Sequence, residues 1–356
     1  MLLELLRLFF ATLGAIVLIY LVIDFADRAH TYTGRAWGKA VFELYMNKAA
    51  VVGYQLAPAA LIISAALVIT LLSRRGELTG LFALGVRPLR LTAPIAAFAA
   101  VLGISLFWLG EKVVVRADAR AEEIQVKRFN RWGDWATYHA GSSWLRGKNN
   151  RIYHLGPQRD GGWEPATVLE IAAPFRLSRR IEARRIEPAG PGRWRLLDAV
   201  ETRYELYGGP GGVVFERRVD ILLERFPESP TDLELRSGRP RQLPWRLLRE
   251  QVRRRENAGQ QAREYEVALA ERAAAPIQVI PAALAAAGLT FALQRPRRRM
   301  PLAGAVAVGM GLSVVLWAAS VIAHAIAISG GVEPWVGAAI PGLLCVAICL
   351  VALRRA

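Results

Sequence analysis

The chain has 356 residues, a formal net charge of +16 and a hydrophobic content of 53%. Its two cysteines are too few for a disulfide framework, which excludes the class of small disulfide-rich secreted proteins. The length allows about two domains, and the positive charge suggests a nucleic-acid partner unless its distribution has another cause.

Six apolar segments are predicted to cross a membrane as helices. The first, around Leu5–Ile23, is shorter, with Arg7 near its start and Asp24 directly after it. The other five contain no Asp, Glu, Lys or Arg, and each reaches the roughly 20 residues that a bilayer core of about 30 Å requires. These five are Val51–Ser73, Leu91–Gly110, Ala273–Gln294, Met300–Ser329 and Pro334–Leu353. Segments this apolar on all sides satisfy their backbone in lipid only as helices or closed barrels.

The basic residues outside 111–272 indicate how the spans are oriented. If the spans alternate, eleven of these 15 residues fall on one side: Arg7, Arg74, Arg75, Arg87, Arg90, Arg295, Arg297, Arg298, Arg299, Arg354 and Arg355. The other four share one short loop: Arg28, Arg35, Lys39 and Lys48. Positive residues accumulate on the cytoplasmic side, so both termini are predicted there and no nucleic-acid partner is needed to explain the charge. A multi-pass protein of the inner membrane with a periplasmic middle domain is expected.

The middle of the chain changes from helical to strand patterning. Residues Glu111–Arg131 are charged and predict a helix that continues out of the third span. From Trp132 onward, short β-branched and aromatic segments alternate with glycine-rich turns, which is typical of a sandwich, jellyroll or incomplete barrel. The predicted strands are Ser142–Arg146, Arg151–Leu155, Thr167–Ala172, Phe175–Ile186, Arg193–Val200, Arg203–Tyr207 and Val213–Glu224.

Pro244 opens a further helix, which Asn257-Ala258-Gly259 interrupts before the fourth span. The predicted architecture is therefore a membrane α-helical protein with three plus three transmembrane helices and an inserted periplasmic all-β, jellyroll-like domain. The domain limits are 1–131 for spans one to three, 132–240 for the β-domain, and 241–356 for the periplasmic helix and spans four to six.

No pattern of catalytic or metal-binding residues is found in the sequence. A Gly-x4-Gly-Lys-Ser/Thr phosphate loop is absent, and the four histidines do not have metal-ligand spacing. An enzyme acting on envelope lipid would need an acid–base or nucleophile set, so that function is disfavoured. His324, inside the fifth span, is expected to bond to a neighbouring helix, although a polar group at this depth can also be functional.

The loop between the second and third spans is predicted to contain a short helix near residues 74–87. Glu77, Leu81 and Leu84 fall on one side of it at helical spacing, and Gly85 followed by Pro88 ends it. Such a helix can dock into the groove of a partner protein, or it can be an ordinary amphipathic connector.

Several segments share their motifs with one transporter family. The loop reads Arg74-x-x-Glu77-Leu78 and ends at Gly85-Val86. Trp144–Tyr153 and Trp194–Val200 are similar to two strand motifs of that family. Leu247–Pro276 is similar to its helix-Gly-x-Asp-Ala-x-x-Tyr…Pro entry to the fourth span, with Gln261 in place of the Asp. Together they resemble the LptF/LptG permeases of the lipopolysaccharide-export ABC transporter over essentially the whole chain. The first 90 residues are more similar to the LptG type, and the LptF type remains the alternative.

The resemblance implies a permease subunit without catalysis that extracts lipopolysaccharide from the inner membrane and passes it to a periplasmic bridge. Its implied partners are an LptB-like ABC ATPase dimer, a second LptF-like permease, an LptC-like periplasmic protein and lipopolysaccharide. ATP would be bound by the ATPase, so no cofactor is expected on this chain. The implied ATPase-coupling residues are Glu77, Arg74, Arg75, Leu81 and Leu84.

The chain departs from the family where lysines follow the first span to meet lipid phosphates, because Asp24–Thr31 contains no lysine. Arg28, Arg35 and Lys39 can replace those lysines, since arginine binds phosphate bidentately, or they can simply anchor the helix ends at the headgroups. The competing function is a membrane-anchored scaffold whose β-domain binds another protein through an exposed sheet edge. A pure anchor needs neither six spans nor a docking helix.

Overall fold

The computed structural model describes residues 1–32, 37–86, 88–129, 143–173, 175–190, 192–205, 213–233, 240–257, 262–294 and 300–355. Within these residues there are ten α-helices and nine β-strands. The helices are α1 (Leu2–Arg28), α2 (Trp37–Arg74), α3 (Glu77–Ala83), α4 (Pro88–Leu109), α5 (Val115–Phe129), α6 (Pro230–Leu233), α7 (Trp245–Asn257), α8 (Arg263–Leu293), α9 (Leu302–Ile328) and α10 (Pro334–Arg355).

The prediction of six membrane spans is confirmed, because six helical segments among the described residues are long and apolar enough to cross a bilayer. They are Leu2–Thr31, Trp37–Arg74, Arg90–Phe129, Arg263–Leu293, Leu302–Ile328 and Pro334–Ala352. The predicted limits were too short for the first and second spans. Apolar runs mark only the part of a helix that meets hydrocarbon, whereas the helix itself continues through polar turns at its ends.

The third span continues as a helix beyond its apolar part, as predicted, but not as a regular one. A π-helical turn, Gly110–Val114, separates α4 from α5. A π-turn inserts extra residues into the helical ladder and often marks a functional site. Gly110 suits this place because its Cα lies against the Tyr54 ring, where an added β-carbon would be only 3.2 Å from the ring atoms. Residues 130 and 131 of the predicted helix are outside the described ranges.

The membrane helices pack through small residues. The α8 segment from Ala282 to Ala287 contributes five alanines to the buried core, each at most 6% exposed. Gly309 of α9 lies so close to α2 that an added β-carbon would be 2.7 Å from the Cα of Ile63. Close backbone approach of this kind is the usual basis of helix association in lipid, where no hydrophobic driving force acts between helices.

Gly309→Ala is therefore expected to loosen the packing of α9 on α2 and to lower the stability of the bundle by roughly 1–3 kcal/mol, the usual cost of overpacking. Gly311→Ala, two residues along the same helix, is the matched control, because nothing lies within 4 Å of its added β-carbon. The control should be neutral or slightly stabilising through helix propensity. Thermal unfolding of both variants in detergent tests this, and equal midpoints would contradict the close approach.

The chain forms two compact units. One comprises Met1–Trp132, Pro240–Trp245 and Glu266–Ala356, and the other comprises Gly133–Arg239 and Arg246–Tyr265. The first contains the membrane helices. The second, called the β unit below, contains the sheet together with most of α7, which begins directly after Pro244 as the sequence predicts.

The β unit is a nine-stranded antiparallel sheet curled into a half-barrel, which confirms the prediction of a jellyroll-like insert. Its strands are β1 (Ser143–Arg146), β2 (Arg151–Leu155), β3 (Gln158–Arg159), β4 (Gly162–Trp163), β5 (Ala166–Ala172), β6 (Arg176–Ala183), β7 (Arg185–Gly190), β8 (Arg193–Tyr204) and β9 (Val213–Arg225). The sheet order is β1-β2-β5-β6-β8-β7-β4-β3, and β9 pairs with the other edge of β8.

The strand limits differ from the prediction around one irregularity. The predicted strand Phe175–Ile186 is divided into β6 and β7 at Arg184, whereas the strands predicted as Arg193–Val200 and from Arg203 onward are joined in the single strand β8, Arg193–Tyr204. Arg184 donates its backbone N–H to Leu197 and pairs with Asp198 at 2.9 Å, and Asp198 has a positive φ of 49°. A non-glycine residue with a positive φ is uncommon within a strand, and local sequence patterning does not reveal it. The predicted turn at 208–212 lies outside the described residues.

Candidate functional site

The loop after the second span forms α3, a helix with a sharp end. Gly76 precedes it with a φ of 78°, and Gly85 follows it with a φ of 76°, a left-handed conformation that favours glycine. The backbone N–H of Val86 donates to Leu81 at 3.1 Å, and that of Gly85 donates to Phe82 at 2.9 Å. This is the Schellman pattern, so Gly85 ends the helix as the sequence predicts.

The side chains of α3 divide between the membrane core and the surface. Leu78 is 5% exposed, and Leu81 packs partly buried against the same core cluster. Glu77 keeps half of its side chain exposed, Phe82 is 40% exposed and Leu84 is 81% exposed. Of the three residues expected on one face, Glu77 and Leu84 are thus exposed, whereas Leu81 faces the bundle. Phe82 was not predicted from the sequence, and its position beside Leu81 gave no signal of exposure.

Arg75 ties this loop to the start of the chain. Its guanidinium pairs with Glu4 of α1 and lies 3.7 Å from the Glu77 carboxylate. Arg75 and Glu77 are each about half exposed, so solvent screens the pair between them and it contributes little to stability. Arg74 ends α2 and also has a partner within the chain. We refer to the exposed residues Glu77, Phe82 and Leu84 as the α3 surface.

A buried carboxylate joins α1 and α2 at the opposite ends of these helices. Asp24, with a side chain 8% exposed, pairs with Arg28 at 2.9 Å and with Lys48 at 2.6 Å. The Tyr45 hydroxyl donates to the same carboxylate at 2.8 Å and lies 3.1 Å from the Tyr32 hydroxyl. Asp24 therefore holds two cations in fixed positions. We call this group the Asp24 cluster.

Lys39, another predicted lipid-binding residue, is exposed at the start of α2, beside a cleft of about 410 Å³ between α2 and α5. We call this the Lys39 cleft. The charged residues of the cleft are Lys39, Glu43, Arg120, Glu123, Lys127 and Arg128. Arg120 bridges Glu43 and Glu123, and Lys127 also pairs with Glu123. Basic side chains outnumber acidic ones four to two, so an anion is favoured there.

The structure places Arg28 in the Asp24 cluster and Lys39 in the cleft between α2 and α5, whereas Arg35 lies outside the described residues. Lys48, Lys127 and Arg128 were not predicted as candidates. The helical extension of the third span was evident in the sequence, but its proximity to Lys39 depends on how α2 and α5 pack.

The end of the third span is fastened to the linker that precedes α7. Glu111, in the π-turn, accepts a hydrogen bond from the Trp245 backbone N–H at 2.7 Å and pairs with Arg272 of α8 at 3.1 Å. Arg272 also donates to the carbonyl oxygens of Arg241, at 2.8 Å, and of Leu243. Both charged side chains are less than one-fifth exposed. This Glu111–Arg272 clasp holds residues 240–245 against the ends of two spans.

His324 of α9 bonds to a neighbouring helix, as expected. Its Nδ1 lies 2.7 Å from Glu271 Oε1 of α8, and both side chains are between 40% and 46% exposed. The pair links the polar ends of two spans.

Comparison with known proteins assigns the chain as a whole. The family model described as lipopolysaccharide export system permease LptF/LptG matches residues 1–355. No individual curated protein matches the chain. The match spans both the membrane unit and the β unit, and the observed six spans with an inserted curled sheet agree with what the sequence resemblance implied. The chain belongs to the LptF/LptG family of lipopolysaccharide export permeases.

Proposed function

We propose that this permease is one half of an inner-membrane exporter that works with three other proteins. An LptF-like permease supplies the second set of spans, and an LptB-like ABC ATPase dimer binds ATP and docks on the α3 surface. An LptC-like protein receives lipopolysaccharide from the β unit. The observation that carries the proposal is the family match over nearly the whole chain.

Two properties of α3 favour a docking role: the composition of its exposed surface and the way the helix is anchored. It presents one carboxylate beside exposed apolar side chains, while Leu78 and Leu81 anchor the helix in the membrane core. A force applied to α3 would therefore act on the core between α2 and α4. An ATPase that binds more tightly in one nucleotide state would shift the permease between two conformations by that difference in affinity.

The orientation follows the charge pattern of the sequence. With both termini and α3 in the cytoplasm, the Asp24 cluster, the Lys39 cleft and the β unit lie on the periplasmic side. The cations of the Asp24 cluster and of the Lys39 cleft then meet lipid headgroups, whose phosphate groups accept charged hydrogen bonds from arginine and lysine. The similarity of the first 90 residues supports the LptG type.

Purification of the chain from its native membrane in mild detergent tests the assembly. Mass spectrometry should identify a second six-span permease, an ABC ATPase and co-purified lipopolysaccharide. Recovery of the chain alone, or with periplasmic proteins only, would contradict the proposal and favour an anchored scaffold.

Lys39→Glu is expected to weaken lipid capture, because a carboxylate would be added to a cleft that attracts phosphate through an excess of cations. Photocrosslinking to lipopolysaccharide in membranes should fall by roughly threefold to tenfold, as expected for loss of an exposed phosphate contact. Arg90→Glu, an exposed charge reversal at the start of the third span, is the control. Equal crosslinking in both variants would assign Lys39 to headgroup anchoring.

A further inference from the structure

The β unit contains a completely buried carboxylate that three arginines bind. Glu201 of β8 has no exposed surface. It accepts hydrogen bonds from the Nε of Arg179 at 2.7 Å, of Arg203 at 2.9 Å and of Arg217 at 2.7 Å. None of these residues belongs to the coupling or lipid-contact features described above.

The strand register brings these side chains to one face of the sheet. Arg203 lies two residues after Glu201 on β8, and Arg217 lies directly opposite Glu201 on β9. Phe215 of β9 lies opposite Arg203, and Arg179 of β6 pairs with Arg203 from the other side. Residues two apart on a strand, and residues directly opposite each other, point to the same face.

The three arginines differ in their exposure and in the number of carboxylates that each one pairs with. Arg179 is 14% exposed and pairs with Glu201, with Glu224 and, at 3.8 Å, with Glu170. Its charge is therefore neutralised inside the sheet. Arg203 and Arg217 are 56% and 45% exposed, and Glu201 is the one acidic partner of each among the described residues.

One carboxylate thus holds two half-exposed guanidiniums and neutralises only part of their charge. Burial acts to raise the pKa of Glu201, but the hydrogen bonds from Arg203, Arg179 and Arg217 outweigh it and hold the pKa below its ordinary value. Glu201 therefore stays ionised at neutral pH. A carboxylate that is charged, buried and shared fixes the orientation of the arginines around it, because each would lose a charged hydrogen bond by moving.

An aromatic ring lies between the two exposed guanidiniums. The Phe215 ring centroid is 5.7 Å from the Arg203 guanidinium carbon and 5.9 Å from that of Arg217. Phe215 is itself 43% exposed, so the patch offers an apolar surface beside two positive groups. A sheet face that only needed to be solvated would not require either the buried carboxylate or the exposed ring.

We infer that Arg203, Arg217 and Phe215 form a binding site for a phosphate group carried by an amphiphilic lipid. Each guanidinium retains N–H donors beyond those bound to Glu201, and the planar guanidinium matches phosphate oxygens bidentately. Phe215 contacts the apolar or sugar part next to the phosphate. Glu201 is a positioning residue, because it acts on the ligand through the two arginines. The choice of a lipid as the source of the phosphate rests on the proposed function, whereas the site itself does not.

Equilibrium binding to the full-length chain in lipid nanodiscs tests the site. The probes are inorganic phosphate, a bisphosphorylated acylated disaccharide lipid, and the same lipid without its phosphates. The phosphorylated lipid should bind tighter than the dephosphorylated one, and Arg203→Gln with Arg217→Gln should weaken its binding by roughly 10- to 100-fold. Arg203→Lys with Arg217→Lys should recover only part of the affinity, because lysine keeps the charge but lacks the planar fork.

The matched control is Arg180→Gln with Arg218→Gln, which removes the same charge from the opposite face of the same sheet, on β6 and β9. Arg180 pairs with Thr202 and Arg218 with Val200 in the register, one residue out of phase with the site. The control should bind the phosphorylated lipid like the wild type. Equal losses of affinity in both double variants would show that binding depends on net charge alone, and would overturn the proposed site.

The remaining outcomes separate the source of the phosphate from the site and from the proposed function. Competition by inorganic phosphate only at much higher concentration than the lipid supports a lipid-borne group, whereas equal affinity for both overturns the lipid assignment. Binding is measured without any ATPase. Failure of lipid export with intact phosphate-dependent binding would therefore contradict the proposed function and leave the site standing.

Discussion

Glu77→Ala should leave the chain folded and inserted but sharply reduce lipopolysaccharide release driven by ATP. Glu77 is half exposed and its internal pair with Arg75, at 3.7 Å, contributes little to stability. If its carboxylate meets the ATPase, removal of one partner of a charged contact would weaken docking by roughly 2–5 kcal/mol, equivalent to about 30-fold or more in affinity. The measurement is release from vesicles that contain the reconstituted complex, with ATP hydrolysis recorded in parallel.

Thr79→Ala is the matched control, because Thr79 is an exposed neighbour on the same short helix. It should retain transport, while Glu77→Ala should show reduced release with an unchanged unfolding midpoint. Leu81→Ala should behave differently from both, since Leu81 packs against the membrane core and its truncation should lower stability. Wild-type release by the Glu77 variant would exclude a coupling role for this carboxylate.

Arg272→Met is expected to have the largest effect on stability. It leaves the Glu111 carboxylate without its cation in a site where both side chains are less than one-fifth exposed. It also removes the donor to the carbonyl oxygens of Arg241 and Leu243. Breaking one side of a buried ion pair typically costs roughly 3–5 kcal/mol, because a buried charge is left uncompensated.

Thermal unfolding in detergent and limited proteolysis within residues 240–245 measure this effect. The double variant Glu111→Gln with Arg272→Met should recover part of the lost stability, since it removes the isolated charge, and the cycle isolates the coupling between the two residues. Lys127→Met breaks the exposed pair with Glu123 in the same unit and should cost at most about 1 kcal/mol. Additive losses in the Glu111–Arg272 cycle would contradict the clasp.

The sequence could indicate where α3 ends but not which of its side chains are exposed. The end of α3 was predictable because Gly85 supplies a left-handed residue at the place where the helix stops, and this is a local property. The direction of Leu81 was not predictable from spacing alone. Leu78 and Leu81 both fall on the buried side once α3 packs on the bundle, so the exposed apolar residues are Phe82 and Leu84 instead.

The lipid-contact residues show the same division. Arg28 and Lys39 were identified by charge and by position after the first span, but their surroundings depend on helix packing. Asp24 lies 24 residues from Lys48 in the chain, and Lys39 and Arg128 come from different spans. The residue pattern of a single segment cannot indicate which residues of other segments it will contact.

The sequence by itself determined the class of protein, because six apolar runs, the charge asymmetry and the turn-rich middle reflect solvent and backbone requirements that act locally. Segment motifs also sufficed to identify the family. The tertiary structure alone decided which charges meet: the Asp24 cluster, the Glu111–Arg272 clasp and the arginines around Glu201 each join residues from separate helices or strands. Such contacts arise from helix packing and strand register, and these depend on the whole fold rather than on any single segment.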